Sequence, residues 1–206
     1  MEGLQRQKES LLDELMSHGN LRRLLFEKGK PLEEAIVEAL RLMRFSANPY
    51  KDGHSEFDVV FESPEGRLIG EAEGKDSKPI NVDKLRQLAM NVHEDLLREC
   101  VSVPAKGVLF GNPFRLDAVA SRPQAFTPKC ISAAESSSTA LVATPELFNA
   151  ARYLADTDDE AYAAQCRAAI VAGVGVVTFP RVPELASLPE LAAESSADSG
   201  ARNDSC

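Results

Sequence analysis

Three acidic residues and one lysine occupy two short neighbouring segments of the sequence. They are Asp58, Glu71, Glu73 and Lys75. Carboxylate oxygens are the ligands that Mg²⁺ and Mn²⁺ prefer in proteins. A divalent cation held in this way lowers the pKa of a bound water, and a nearby ammonium stabilises negative charge that develops on a phosphate. These residue types therefore indicate hydrolysis of a phosphate ester, provided that the fold brings them together.

The two segments are predicted to form a β-hairpin. Residues 56–63 (EFDVVFES) and 67–75 (RLIGEAEGK) have the alternation of β-strands, and the Ser-Pro-Glu-Gly sequence at 63–66 favours a tight turn between them. Side chains two residues apart in a strand share a face. We therefore expect Phe57, Val59 and Phe61 on one face of the first strand, and its acidic residues on the other.

The turn also predicts which acidic residues meet. If Glu62 pairs with Arg67, Asp58 falls directly opposite Glu71, and Glu73 lies on the diagonal within reach of a long side chain. Carboxylates so close to each other destabilise a protein unless a cation lies among them. The sequence therefore predicts a Mg²⁺ or Mn²⁺ site formed by Asp58, Glu71 and Glu73, with Lys75 on the same face.

The elements around the hairpin contribute further candidates. A helix is predicted over 31–45, and its apolar stripe at 36, 37, 40 and 43 places Glu33 toward the interior and Glu34 further out. A second helix over 81–100 follows the hairpin and carries Gln87. Small residues alternate on the second strand opposite the acids, which predicts a closely packed helix on that face.

The rest of the chain alternates between strands and helices. We predict a strand at 108–110 and a loop over 113–130. A further strand ends at Thr144, which is predicted to cap the helix that follows. A helix over 158–172 and a last strand over 173–180 complete the domain. This order favours an α/β fold with a mixed sheet flanked by helices. The predicted divisions are a leucine-rich helical arm over 1–28, the α/β domain over 29–180 and a disordered acidic tail over 181–206.

This pattern resembles the PD-(D/E)XK, or restriction-endonuclease-like, nuclease superfamily. In that superfamily a core hairpin carries Asp on its first strand and Glu-Xaa-Lys on its second. Asp58 matches the first element, and Glu73-Gly74-Lys75 matches the second 15 residues later. A second register takes Glu71-Ala72-Glu73, with Glu in place of Lys, and the sequence does not decide between them.

The resemblance implies a restriction-endonuclease-like fold and a role for each candidate. Asp58 and one of the two glutamates would bind Mg²⁺ or Mn²⁺, Glu33 would bind the metal or orient its water, and Lys75 would hold the water or stabilise charge. Gln87 corresponds to a glutamine often found on the following helix. Seven basic residues outside the hairpin would contact phosphates: Arg22, Arg23, Lys28, Lys30, Lys78, Lys84 and Arg86.

Composition limits the partners. The formal net charge of −9 disfavours binding of nucleic acid by bulk charge, though a metal and a local basic patch would still allow contact with phosphates. Four dispersed cysteines without metal-ligand spacing favour reduced thiols in the cytoplasm, and no apolar run is long enough to cross a membrane.

The leading hypothesis is a metal-dependent nuclease that hydrolyses DNA. The alternative is a catalytically inactive module of the same fold that serves as an interaction or scaffold domain in a larger bacterial-type system. A third is a nuclease that acts on RNA, or on DNA only when a partner delivers it. The resemblance also implies a homodimer, because members of the superfamily often work as dimers, and the leucine-rich arm would then pair with the second chain.

Overall fold

A computed structural model of the chain describes residues 19–52, 55–98 and 101–183. It shows a mixed six-stranded sheet flanked by helices, which confirms the predicted α/β class. Most of the predicted arm and nearly all of the predicted acidic tail lie outside the described residues. No helix of the described part is both long and apolar enough to cross a membrane.

The elements are numbered here in chain order. The helices are α1 (Arg23–Phe26), α2 (Lys30–Leu42), α3 (Asp83–Leu96), α4 (Pro128–Ser136), α5 (Thr144–Thr157) and α6 (Glu160–Ala172). The strands are β1 (Ser46–Asp52), β2 (Ser55–Ser63), β3 (Gly66–Gly74), β4 (Lys106–Asn112), β5 (Ala140–Ala143) and β6 (Gly175–Val176).

The strands lie in the sheet in the order in which they occur in the chain. β1, β2 and β3 pair antiparallel, whereas β3, β4, β5 and β6 pair parallel. Parallel neighbours need crossover connections, and helices α3 to α6 supply them. β3 is therefore the strand at which the hairpin joins the parallel half of the sheet, and Glu71 and Glu73 lie on it.

Each face of the sheet has its own apolar core. One core joins the sheet to α1, α2, α5 and α6, and the other joins it to α3 and α4. Leu21 and Leu24 of the predicted arm are fully buried in the first core, so this part of the arm packs on the domain. The pattern of burial in β4 follows the pleat, since Val108 and Phe110 contact the first core and Leu109 contacts the second.

A β-bulge in β2 changes the expected alternation next to Asp58. Asn48 pairs with Val60, but Tyr50 pairs with Phe57, so one residue of β1 lies opposite two residues of β2. The extra residue reverses the faces beyond it. Phe57 consequently packs in the core beside α3. The prediction that it shares a face with Val59 and Phe61 was therefore wrong.

Some elements differ from the sequence predictions for identifiable reasons. β1 was not predicted, because Asn48-Pro49 was interpreted as a turn, but an edge strand tolerates a proline. Helix α4 begins near the end of the predicted loop and continues beyond it, and Thr127 caps it by accepting from the N–H of Cys130. Thr144 is the first residue of α5 and makes no cap hydrogen bond, because Ala143 occupies the N-cap.

The glycines of β3 also have different neighbours from those expected. A Cβ at Gly70 would lie 2.6 Å from Val59 and 2.7 Å from Phe110, both on neighbouring strands. A Cβ at Gly74 would lie 2.4 Å from Lys28, in the segment after α1. The glycines thus make room for side chains of the neighbouring strands and for the segment after α1. They are not explained by a helix packed along the whole face, as the sequence had suggested.

Candidate functional site

The candidate site lies where β2 and β3 separate. The ladder runs from Ser63–Gly66 through Glu62–Arg67 to Val59–Gly70, which is the predicted register. Beyond this last pair the side chain of Asp58 takes the place of a main-chain acceptor, because its Oδ2 accepts a hydrogen bond of 2.8 Å from the N–H of Ala72. This bond fixes the Asp58 carboxylate at the fork between the two strands.

Glu71 is fully buried beside Asp58. Burial, followed by the negative charge of Asp58, raises the pKa of Glu71 to about 7. Lys84 of α3, whose Nζ lies 3.2 Å from Oε2 of Glu71, opposes this effect. Asn91 of the same helix donates a hydrogen bond of 2.5 Å from Nδ2 to Oε1 of Glu71. The structure thus brings the predicted pair of carboxylates together in an environment that is poor in water.

Glu73 forms ion pairs with two lysines and does not join the contact between Asp58 and Glu71. Its Oε1 lies 2.5 Å from Nζ of Lys75, and its Oε2 lies 3.9 Å from Nζ of Lys84. The side chain of Glu73 is 17% exposed and that of Lys75 is 37% exposed, so this pair borders the solvent. Glu71 is therefore the glutamate next to Asp58, and Glu73 lies one step further along the same face.

Glu33 reaches the site from the other side, through a pocket of about 300 Å³ between α2 and the bulged edge of the hairpin. The pocket is lined by Lys30, Glu33, Glu34, Val37, Arg41, Pro49 and Asp58. Glu33 is half-buried and lies 3.9 Å from Lys30, whereas Glu34 is exposed and pairs with Arg23. The helical phase of α2 thus places Glu33 further inward than Glu34, as predicted.

Helix α3 carries three polar side chains toward the site, two of which were candidates from the sequence. Lys84, Gln87 and Asn91 recur at helical spacing on the side that faces β3. Gln87 is exposed, and its Oε1 accepts from Lys84 at 3.0 Å, so it contacts the site through that lysine. Asn91 was not predicted as a site residue. Its position one turn after Gln87, on the apolar side of the helix, would have indicated a buried polar side chain.

A buried ion pair fixes the other end of α3 against the hairpin. Asp95 is fully buried and binds Arg67 through both carboxylate oxygens, one of them at 2.9 Å, and Arg98 at 3.1 Å. Arg67 is also 2.9 Å from Glu62, its partner across the hairpin. A bidentate pair of this kind fixes orientation, so it holds the helix that carries Lys84 in register with β3.

The other predicted basic residues are distributed around the site and away from it. Lys30 lines the pocket beside Asp58. Lys28 binds Asp76, whose pKa is lowered by hydrogen bonds from Arg115 and Lys28. The remaining residues are an exposed Lys78, an exposed Arg86 paired with Asp83, and Arg22 in a separate pocket beside α5.

The donor set suits a small divalent cation but does not form a complete protein cage. Residues 19–52, 55–98 and 101–183 contain no group of three or more His, Cys, Asp or Glu side chains placed to hold a metal ion. Mg²⁺ needs only one or two protein carboxylates, since water and substrate phosphates complete its shell. Asp58 and Glu71 provide two such carboxylates in contact, and burial, followed by the charge of Asp58, raises the pKa of Glu71. We therefore consider that this pair fits Mg²⁺ or Mn²⁺.

Comparisons with known proteins give little further information. No protein-family model and no curated protein matches the chain. Among solved structures, the chain is similar to the crystal structure of protein VC1899 from Vibrio cholerae, with a TM-score of 0.39 and 19% identity. The match covers 62% of this chain and 33% of that protein, so the chain spans about a third of its length.

Proposed function

We propose that the chain is a metal-dependent nuclease that hydrolyses DNA phosphodiester bonds at the fork between β2 and β3. The observation that carries the proposal is the contact between Asp58 and the fully buried Glu71, with Lys84 paired to Glu71 and Lys75 paired to the next acid along β3. Two carboxylates that are pressed together away from water lower stability. Carboxylate pairs that destabilise the fold are typical of functional sites. Binding of a divalent cation is the simplest function for such a pair.

Each residue of the site has a role in this proposal. Asp58 and Glu71 would hold Mg²⁺ or Mn²⁺, which when bound polarises the phosphate and lowers the pKa of its water. The Ala72 N–H orients Asp58, and Asn91 orients Glu71. Lys75 lies nearest to solvent and stabilises negative charge on the phosphate as it develops. Glu73 orients Lys75 through their ion pair.

The position of Glu33 supports a role on the water side of the reaction. It lines the same pocket as Asp58, on the face of the hairpin opposite α3. A carboxylate there accepts a hydrogen bond from an attacking water and turns one lone pair of that water toward the phosphate. The proposal assigns Gln87 an indirect role, since its side chain accepts from Lys84 and is otherwise exposed.

A cleavage assay tests the proposal. Supercoiled plasmid, linear duplex and single-stranded DNA are incubated with the protein at low salt, with Mg²⁺, Mn²⁺ or EDTA. We expect cleavage only with metal, and a loss of at least about a hundredfold in Asp58→Asn and in Glu71→Gln, because each variant removes a metal ligand without changing shape. Glu62→Gln is the matched control, since Glu62 lies on the same strand as Asp58 and is exposed. Equal rates in all four proteins would refute the assignment.

The second candidate function is an inactive module that serves as an interaction or scaffold domain. The observation in its favour is the pairing of Glu73 with two lysines, which leaves only two carboxylates in contact. Calorimetric titration with Mn²⁺ separates the two functions. Binding by the wild-type protein that disappears in Asp58→Asn supports the nuclease, whereas the absence of any heat of binding supports the scaffold. The same cleavage assay with RNA distinguishes DNA from RNA as the substrate.

A further inference from the structure

Lys84 is the lysine that lies beside the buried carboxylate of Glu71. Its Nζ lies 3.2 Å from Glu71, 3.9 Å from Glu73 and 3.0 Å from the amide oxygen of Gln87. The side chain is 25% exposed, and it reaches the acids from the first turn of α3. The ammonium therefore neutralises part of the charge of two glutamates on one face of β3.

A divalent cation at Asp58 and Glu71 would compete with this ammonium. Both cations need the carboxylate oxygens of Glu71, and they repel each other strongly at such short range in a site that is largely closed to water. Lys84 has another acceptor within reach, because its hydrogen bond to the exposed side chain of Gln87 is independent of the acids. The side chain is thus able to leave Glu71 without being left buried and unpaired.

We propose that Lys84 is a displaceable counter-ion, which neutralises Glu71 in the metal-free protein and is released by the metal to contact the phosphate of the substrate. This inference rests on the proposed function, and it assigns Lys84 a role different from that of Lys75. Lys75 pairs with Glu73 and not with Glu71, and so is not displaced by a cation that enters between Asp58 and Glu71. One lysine stays in place while the other exchanges partners.

The first test is metal affinity, measured by calorimetry with Mn²⁺ on the full chain. We expect Lys84→Met to bind Mn²⁺ about tenfold more tightly than wild type, because a competing charge has been removed from the site. Arg86→Met is the matched control: it removes one positive charge from the same helix at an exposed position, and we expect a change of less than about twofold. Lys84→Gln repeats the measurement with a polar side chain in case Lys84→Met folds poorly.

The second test is stability without and with metal. In EDTA at pH 8 we expect Lys84→Met to unfold at a lower urea concentration than wild type, since Glu71 has lost its counter-ion. With saturating Mn²⁺ the two midpoints should coincide, because the metal supplies the missing charge. In cleavage at saturating Mn²⁺ we expect Lys84→Met to be about tenfold or more slower and Lys84→Arg to retain most of the activity.

The outcomes separate this inference from the proposed function. Wild-type cleavage together with unchanged or weaker Mn²⁺ binding in Lys84→Met and Lys84→Gln would overturn the displacement and leave the nuclease intact. Tighter binding in these variants, with the stability deficit abolished by Mn²⁺, supports it. A wild-type protein that neither binds Mn²⁺ nor cleaves DNA would overturn both, since there would be no metal to displace the lysine.

Discussion

The clearest physical consequence of the site is that ionisation of Glu71 destabilises the folded protein. Glu71 is fully buried, and burial and Asp58 together raise its pKa from 4.5 to about 7. At about 1.4 kcal/mol per unit of pKa, this shift corresponds to about 3 kcal/mol of unfolding free energy. The folded protein binds a proton on Glu71 between these two pH values and the unfolded chain does not, so this contribution to stability is present at low pH and is lost as the pH rises to about 7.

Replacement of Glu71 by Gln removes this dependence. The amide cannot ionise, yet its oxygen still accepts from Asn91. We expect the stability of Glu71→Gln relative to wild type to increase by about 2 to 3 kcal/mol between pH 5 and pH 8. Urea unfolding of both proteins in EDTA, at several pH values across this range, gives the difference directly. All other titrating groups are common to the two proteins and cancel to first order.

Two further variants make the measurement decisive. Glu62→Gln replaces an exposed glutamate of the same hairpin, and its stability relative to wild type should change by less than about 0.5 kcal/mol over the same range. Asp58→Asn should reduce the pH dependence in part, since burial is the larger cause of the shift and remains. If Glu71→Gln and Glu62→Gln behave alike, Glu71 is not under electrostatic strain and the reasoning about the site is wrong.

Other features lead to separate predictions. Gly70→Ala should lower the unfolding free energy by about 1 to 3 kcal/mol, because the added Cβ would lie 2.6 Å from a neighbouring side chain; an unchanged urea midpoint contradicts this. Asp95→Asn should cost about 3 to 5 kcal/mol, because it removes the buried charge that pairs with Arg67 and Arg98, and a loss below about 1 kcal/mol would show that the pair does not hold α3 in place. Burial raises the pKa of Cys130 and Cys166 to about 11. Both thiols should therefore react with a disulfide reagent only as fast as the protein opens, and rapid reaction of the native protein argues against this packing.

The hairpin is the part of the fold that the sequence predicts best, because the information is local. The turn at 63–66 fixes the pairing of Glu62 with Arg67, and the structure has this register. The same register brings Asp58 to Glu71, as expected, although the strands have separated by that point and the contact is made through a side chain. The turn at 63–66 thus determines that Asp58 lies beside Glu71, although neither residue is part of the turn.

The contribution of α3 to the site depends on contacts that are distant in sequence. Lys84 was recognised only as a basic residue near the hairpin, and Asn91 was not recognised at all. Both contact Glu71 because α3 packs on β3 in one particular rotation, which the buried pair of Asp95 with Arg67 helps to fix. No spacing within the helix alone identifies the strand residue that it will meet.

The two edges of the sheet limit how copies of the chain can associate. β6 has only two residues, and β1 carries Pro49 and lies opposite the bulge of β2. Neither edge therefore offers a long, regular row of free main-chain donors and acceptors to another sheet. A homodimer built from the described residues would consequently be held by side-chain surfaces of helices and loops, and extension of the sheet from one molecule into the next is disfavoured.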